Sequence, residues 1–150
     1  MAEEDLKDAS KAHAEAFVRQ KLSYKWLECT LNAFPRTLCY VSVFEEEIVG
    51  YIIWAQKSGF RPKVVLELEQ IAVLPAHQGR GIGRKLIEKS LHLVKAHLLD
   101  QGSTLNHIVV TTRADNYAQR LYKQVLGAEV EAEINNLYSA DEVFMVARNV

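Results

Sequence analysis

The chain has few of the residues that would tie it to a special environment. It has two cysteines, Cys29 and Cys39, at no spacing that suits a metal. They read as reduced thiols in an intracellular, cytoplasmic protein, with no metal site expected. It has no charge excess: 18 basic residues against 19 acidic ones leave a formal net charge of -1. A dedicated nucleic-acid binder carries a strong basic excess, so nucleic acid is not an expected partner. No apolar run approaches the roughly 18 residues of a membrane span. The acidic opening, MAEEDLKDASKA, is unlike a secretory leader with its basic start and apolar centre. No membrane partner is expected. There is no repeat, no low-complexity tract and no linker. The whole of 1–150 therefore reads as one domain, long enough to bury a sizeable core.

What is there alternates between two periods. Leu6, Ala9, His13, Ala16 and Phe17 fall near helical spacing, and Tyr24 to Ala33 continues in that manner until Pro35. Leu38 to Phe44 and Ile48 to Trp54 are β-rich runs around Glu45, Glu46 and Glu47, a hairpin with a charged turn. QKSGFRPK is a loop, and Val64 to Val73 a long strand. Ile82, Leu86, Ile87, Leu91, Val94 and Leu98 form the apolar stripe of a helix over 82–99. A strand follows at 107–112. A helix over 116–126 then stops at Gly127, the usual place for a C-terminal glycine. Two last strands are expected at 128–134 and 143–148. The fold class is α/β or α+β. The strand–helix–strand stretch from 64 to 112 should be a right-handed crossover with parallel strands.

The stretch LPAHQGRGIGRKL joins a strand to a helix. A helix start offers free N–H groups and the positive end of its dipole. Glycines let those groups approach an anion. Arg80, Arg84 and Lys85 add positive charge. The residues therefore describe a phosphate or pyrophosphate cradle, or more simply a tight turn. The nucleotide-binding pattern ending in Gly-Lys-Ser/Thr is absent. The dinucleotide pattern fails because Arg84 stands where its third glycine belongs.

The pattern that fits is Gln-x-x-Gly-x-Gly, at Gln78, Gly81 and Gly83. A second block, NYAQRLYKQVLGAEV, supplies Asn116, Ala118, Leu121, Tyr122 and Gly127. Together, in this order and separation, they resemble the acetyl-CoA-binding blocks of the GNAT acetyltransferase family. The resemblance covers about 40–148. It implies a mixed, mostly antiparallel central sheet with a splayed parallel strand pair, flanked by helices. The family's first strand is short or absent here, because Glu4-Asp5-Leu6 comes almost at once. It implies acetyl-CoA as cosubstrate, with the pantetheine arm against Ile71, Ala72 and Val73. The pyrophosphate would sit on Gln78, Gly79, Arg80, Gly81, Ile82, Gly83 and Arg84. Asn116 matches a position touching the pantetheine arm, with Ala118 in the same block. Tyr122 matches a tyrosine near the sulfur that can protonate the leaving thiolate.

Acetyl transfer to an amine needs a neutral amine, hence a base or a water relay, and a donor for the developing oxyanion. In VVLELEQIAV, Glu67 and Glu69 share one strand face, roughly 7 Å apart. They mark either a solvated strand end or a base and an acidic patch that steers a cation. Both match places where some family members keep a base, and Glu69 is favoured slightly. Tyr122 also falls on the helix face of Ala118, Leu121 and Val125, where a tyrosine is often core. The histidines, His13 and His77 among them, read as surface or loop residues. Tyr24, Trp26, Phe34 and Tyr138 come from regions that line the acceptor pocket in similar proteins, though most of them read as core. The sequence thus suggests an N-acetyltransferase acting on a primary amine, with a small amine favoured slightly over a peptide or protein amine. A non-catalytic acyl-CoA sensor is the alternative. The C-terminal strand pair is a candidate homodimer surface.

Overall fold

The computed structural model describes residues 1–150. Its elements are α1 (Leu6–Ala16), α2 (Ser23–Leu31), β1 (Thr37–Phe44), β2 (Glu47–Gln56), β3 (Lys63–Val73), α3 (Ile82–Asp100), β4 (Thr104–Arg113), α4 (Ala118–Leu126), β5 (Glu129–Ile134) and β6 (Glu142–Arg148). The six strands make one sheet in the order β1-β2-β3-β4-β6-β5. Only β3 and β4 pair in parallel; β1–β2, β4–β6 and β5–β6 run antiparallel. No strand precedes α1. A short 3-10 turn, Glu3–Asp5, leads into it, and the Met1 ammonium donates to the Cys39 carbonyl at 2.9 Å.

The chain forms two compact units. The first comprises residues 1–55 and 70–92. Its core joins Leu6, Ala9 and Ala12 of α1, Leu27 of α2, Tyr51 and Ile53 of β2, and Ala72 of β3. The two alanines bring the α1 backbone close to the strand. Successive residues of β2 point to opposite faces, and both faces are covered, with Val49 to Gln56 buried throughout. Tyr51 and Ile53 meet the N-terminal helices. On the other face, the Trp54 indole donates to Ser90 Oγ of α3 at 2.8 Å. Truncating Ile53 or Leu27 to alanine would cost about 2–5 kcal/mol, the usual range for emptying a filled core position. Gly50 is a point of close approach: a Cβ there would lie 2.6 Å from the Ala72 carbonyl oxygen and 3.3 Å from Val73 Cα.

The second unit comprises residues 56–69 and 93–150. One sheet face is dry, built from Val64, Leu66, Ile108, Val110, Val143, Met145 and Ala147. Tyr122 of α4 is buried as well. The parallel ladder runs from Lys63↔Thr104 to Glu67↔Val109 and stops there, although β3 continues to Val73 and β4 to Arg113. This is the splayed pair, and the backbone of β3 beyond Glu67 has no parallel partner. At the end of α4, Gly127 sits at φ 67°, a left-handed position that glycine takes without a Cβ penalty. β5 is exposed along its whole length.

Candidate active site

In the first unit, Ile71, Ala72 and Val73 end β3, and the glycine loop follows directly. Its shape is set by two left-handed residues, Gly79 at φ 74° and Gly81 at φ 76°. A Cβ at either would meet nothing within 4 Å. Torsion demands glycine there, and the space in front of both is open. Gly83 already lies in the first turn of α3. The Lys85 N–H bonds to the Gly81 carbonyl at 3.0 Å, so Gly81 opens the helix. The N–H groups of Ile82, Gly83 and Arg84 come before the first intrahelical donor. They point out of the helix start with the positive end of its dipole. Gln78, Arg80 and Arg84 are exposed, and Arg84 meets Glu88 at 3.5 Å. The Gln78 amide donates to the Val73 carbonyl at 2.9 Å, which ties the loop back to its strand. The motif's glutamine thus has a structural task that sequence reasoning did not assign. An exposed amide cluster with open space before it fits the pyrophosphate of a coenzyme A thioester.

In the second unit, Glu67 and Glu69 share the sheet face opposite buried Leu66 and Leu68, as the alternation requires. Their surroundings differ. Glu67 is paired with Lys57 Nζ at 2.7 Å and is mostly covered. Glu69 is exposed. Asn116 lies just ahead of α4. Its Oδ1 accepts from the Ala118 N–H at 2.9 Å and its Nδ2 donates to Thr112 Oγ1 at 2.7 Å, so it caps the helix and pins its start to β4. One turn on, Tyr122 is buried, and burial pushes its phenol up to about 12. No group of the protein hydrogen-bonds that hydroxyl, and Glu67 bonds to Lys57 rather than to it. The structure thus holds Asn116, Ala118 and Tyr122 on one short segment, with the two acids on β3.

The profile of the Acetyltransferase (GNAT) family matches residues 3–128. The chain belongs to the GNAT acetyltransferase family. Solved structures agree in fold. The ribosomal-protein-S18-alanine N-acetyltransferase of Escherichia coli superposes at a TM-score of 0.74 with 20% identity, covering 99% of this chain and 90% of its own. Ard1 of Thermoplasma volcanium gives 0.77 with 18% identity, covering 100% and 95%. An aminoglycoside 6'-N-acetyltransferase complexed with coenzyme A gives 0.74 with 14% identity, covering 97% and 91%. No curated protein sequence matches the chain.

Several readings of this GNAT chain need correction. His13 is no surface residue: it is fully buried. Its ring stacks on Tyr51, with centroids 6.3 Å apart, and tilts against Phe17 at 5.0 Å. Its Nδ1 meets Ser23 Oγ at 3.0 Å, while Nε2 has no partner. Burial lowers its pKa below the ordinary value, partly offset by Gln20. Tyr24, Trp26, Phe34 and Tyr138 are exposed rather than core. Gln70 escaped notice. It is buried on β3, and its Oε1 accepts from both the Tyr51 hydroxyl and the Trp26 indole. The signal available was a lone amide in an apolar strand, two residues before Ala72.

Proposed function

We infer that this protein is an acetyl-CoA-dependent N-acetyltransferase acting on a primary amine, with a small amine favoured over a peptide or protein amine. The observation that carries this reading is the loop at the start of α3. Gly79 and Gly81 turn free helix amides toward open space, in a chain whose family transfers acetyl groups. The amides of Ile82, Gly83 and Arg84 would hold the pyrophosphate, with Arg80 and Arg84 adding charge. The backbone of Ile71, Ala72 and Val73, on the side turned away from β2, would hold the pantetheine amides. Bound there, the thioester supplies an acyl carbon open to attack by a neutral amine.

The chain's own residues do the rest. Glu69 takes the proton from the acceptor's ammonium and leaves a lone pair to attack. Glu67, held by Lys57, adds negative charge that draws a cation and is the weaker candidate for base. The Tyr122 hydroxyl keeps its proton at working pH because burial raises its pKa. It donates that proton to the departing sulfur. A backbone N–H of β3 stabilises the developing oxyanion. The two acids support a small cationic acceptor. All of 1–150 acts as one catalytic domain in this reading.

The test is thiol release from acetyl-CoA with a panel of polyamines, aminoglycosides, lysine peptides and free peptide N-termini. Turnover with a small amine supports the reading. Turnover with peptides alone corrects the acceptor. Protection from heat by coenzyme A, without turnover on any amine, identifies a sensor.

A further inference from the structure

One buried acid of the second unit has no task in the steps above. Glu142 opens β6 and is only 6% exposed. Buried charges are normally paired, because an unpaired one is costly to desolvate. Glu142 accepts no hydrogen bond within the chain. Arg113 stands directly opposite it on β4, but that guanidinium is committed elsewhere. Its Nε and Nη2 donate to the two carboxylate oxygens of Asp115, at 2.9 and 2.7 Å. Burial lifts the Glu142 carboxyl above its usual range; Arg113 offsets part of this and Asp115 adds to it. The position of Glu142 is fixed from both sides. The Ala114 N–H donates to the Asp141 carbonyl at 2.8 Å, which locks the start of β6 to the end of β4. The Asn136 N–H donates to Asp141 Oδ1 at 2.9 Å, which ties down the loop ahead of it.

Register sets this acid on the face that carries the other two. Glu67 lies beside Val109 on β4. Alternation carries that face along β4 to Thr111 and Arg113, and Arg113 lies beside Glu142. Glu67, Glu69 and Glu142 therefore share one face of the second unit's sheet, with β4 between β3 and β6. Two strand spacings across and two residues along put Glu142 roughly 12 Å from Glu69. The ladder between β3 and β4 ends at Glu67, so the splay adds to that distance. One ammonium cannot reach both acids. A linear acceptor with a cation at each end can.

We propose that Glu142 anchors a second ammonium of the acceptor, so that the preferred substrate is a linear diamine or longer polyamine whose far cation sits at Glu142 while its near amine reacts at Glu69. This rests on the N-acetyltransferase reading and narrows its acceptor. Steady-state kinetics with acetyl-CoA test it on two series, α,ω-diamines of increasing length and linear alkyl monoamines of the same lengths. Wild type should prefer a diamine over its monoamine about tenfold or more in kcat/KM once the chain spans the two acids. Diamines too short to span them should show no such gain. Glu142→Gln keeps the shape and removes the charge. It should collapse the preference, chiefly by raising KM for the long diamine. Should that variant fail to fold by circular dichroism, Thr111→Lys decides instead. It sets a fixed cation on the same face between the acids and should collapse the preference in the same way. Calorimetric titration of the long diamine onto the protein loaded with coenzyme A repeats the comparison without chemistry. Binding that weakens about tenfold in Glu142→Gln, with no turnover on any amine, keeps the anchor and overturns the catalytic reading. The anchor is overturned by equal rates for diamines and monoamines at every length, or by a preference that survives Glu142→Gln. Losses in that variant that are equal for both series, or no binding of any diamine, overturn it as well.

Discussion

The Tyr51 hydroxyl donates to Gln70 Oε1 across 2.9 Å inside the first unit's core. The same oxygen accepts from Trp26 Nε1 at 3.1 Å. One buried acceptor thus satisfies two donors, one from β2 and one from α2. Removing it leaves a buried phenol without a partner, which costs about 1–3 kcal/mol. Gln70→Leu should therefore lower the urea midpoint clearly, and Gln70→Glu, which keeps an acceptor, should lower it less. Equal midpoints for wild type and Gln70→Leu would show that neither donor needs this oxygen.

Tyr122 separates structure from chemistry in a single atom. Its ring is packed, but its hydroxyl has no partner in the protein. Tyr122→Phe should therefore keep the melting temperature while kcat falls about tenfold to a hundredfold, the lower part of what a positioned acid supplies. Steady-state kinetics across pH check this. Unchanged turnover throughout would remove Tyr122 from the mechanism.

The two strand acids should separate in the same assay. Glu69→Gln removes the proposed base, so kcat/KM should drop most at low pH, where the amine is most fully protonated. Glu67→Gln breaks only the pair with Lys57. It should shift KM for a cationic acceptor more than it changes kcat. Full activity in both variants at every pH would leave deprotonation to a water relay.

How far the sequence carried this reading differed by residue. Alternation put Glu67 and Glu69 on one face because a strand's side-chain period is fixed at two. The glycine loop and the end of α4 were legible because positive φ, at Gly79 and Gly81 in the one and at Gly127 in the other, leaves its mark in residue type. His13 was not. It fell on the α1 stripe with Leu6 and Ala9, yet only distant partners, Tyr51 and Ser23, make a buried imidazole tolerable there. Trp26 failed in the reverse sense. Its indole N–H found Gln70, 44 residues away, while its ring stayed partly in solvent. Whether an aromatic is core depends on what covers it, and local sequence does not encode that. Gln78 looked like a ligand contact from its motif; its bond to the Val73 carbonyl needed coordinates.

Gly81 offers a test of the loop itself. Gly81→Ala meets no steric obstacle, but its φ of 76° costs an L-residue about 1–2 kcal/mol. The loop should relax and misdirect the first amides of α3. The expected result is a raised KM for acetyl-CoA with kcat nearly kept, the signature of binding lost equally from ground and transition states. An unchanged KM would place the pyrophosphate elsewhere.

His13 gives stability a pH dependence of known sign. Burial favours its neutral form, so its folded pKa lies below the unfolded value of 6.5. As pH falls through 6.5, the unfolded chain takes up a proton that the folded chain refuses. Stability from this group is complete above 6.5 and declines below it, until the folded form titrates as well. Urea midpoints at about pH 7.5 and about pH 5.5 should differ, and His13→Gln should narrow the difference. A variant with the same dependence as wild type would assign it to other groups.

Gly50 differs from the loop glycines, since its backbone asks for nothing unusual. What forbids a side chain there is the Ala72 carbonyl, 2.6 Å from where the first carbon would stand. Ala72 lies in the strand segment assigned to the thioester. The missing methyl group works as a spacer gauge: it sets how near β2 may come to that carbonyl. Any side chain at 50 would push that segment of β3 aside. If the thioester lies there as proposed, the reach of the chemistry would be set, in part, by an atom the chain does not have.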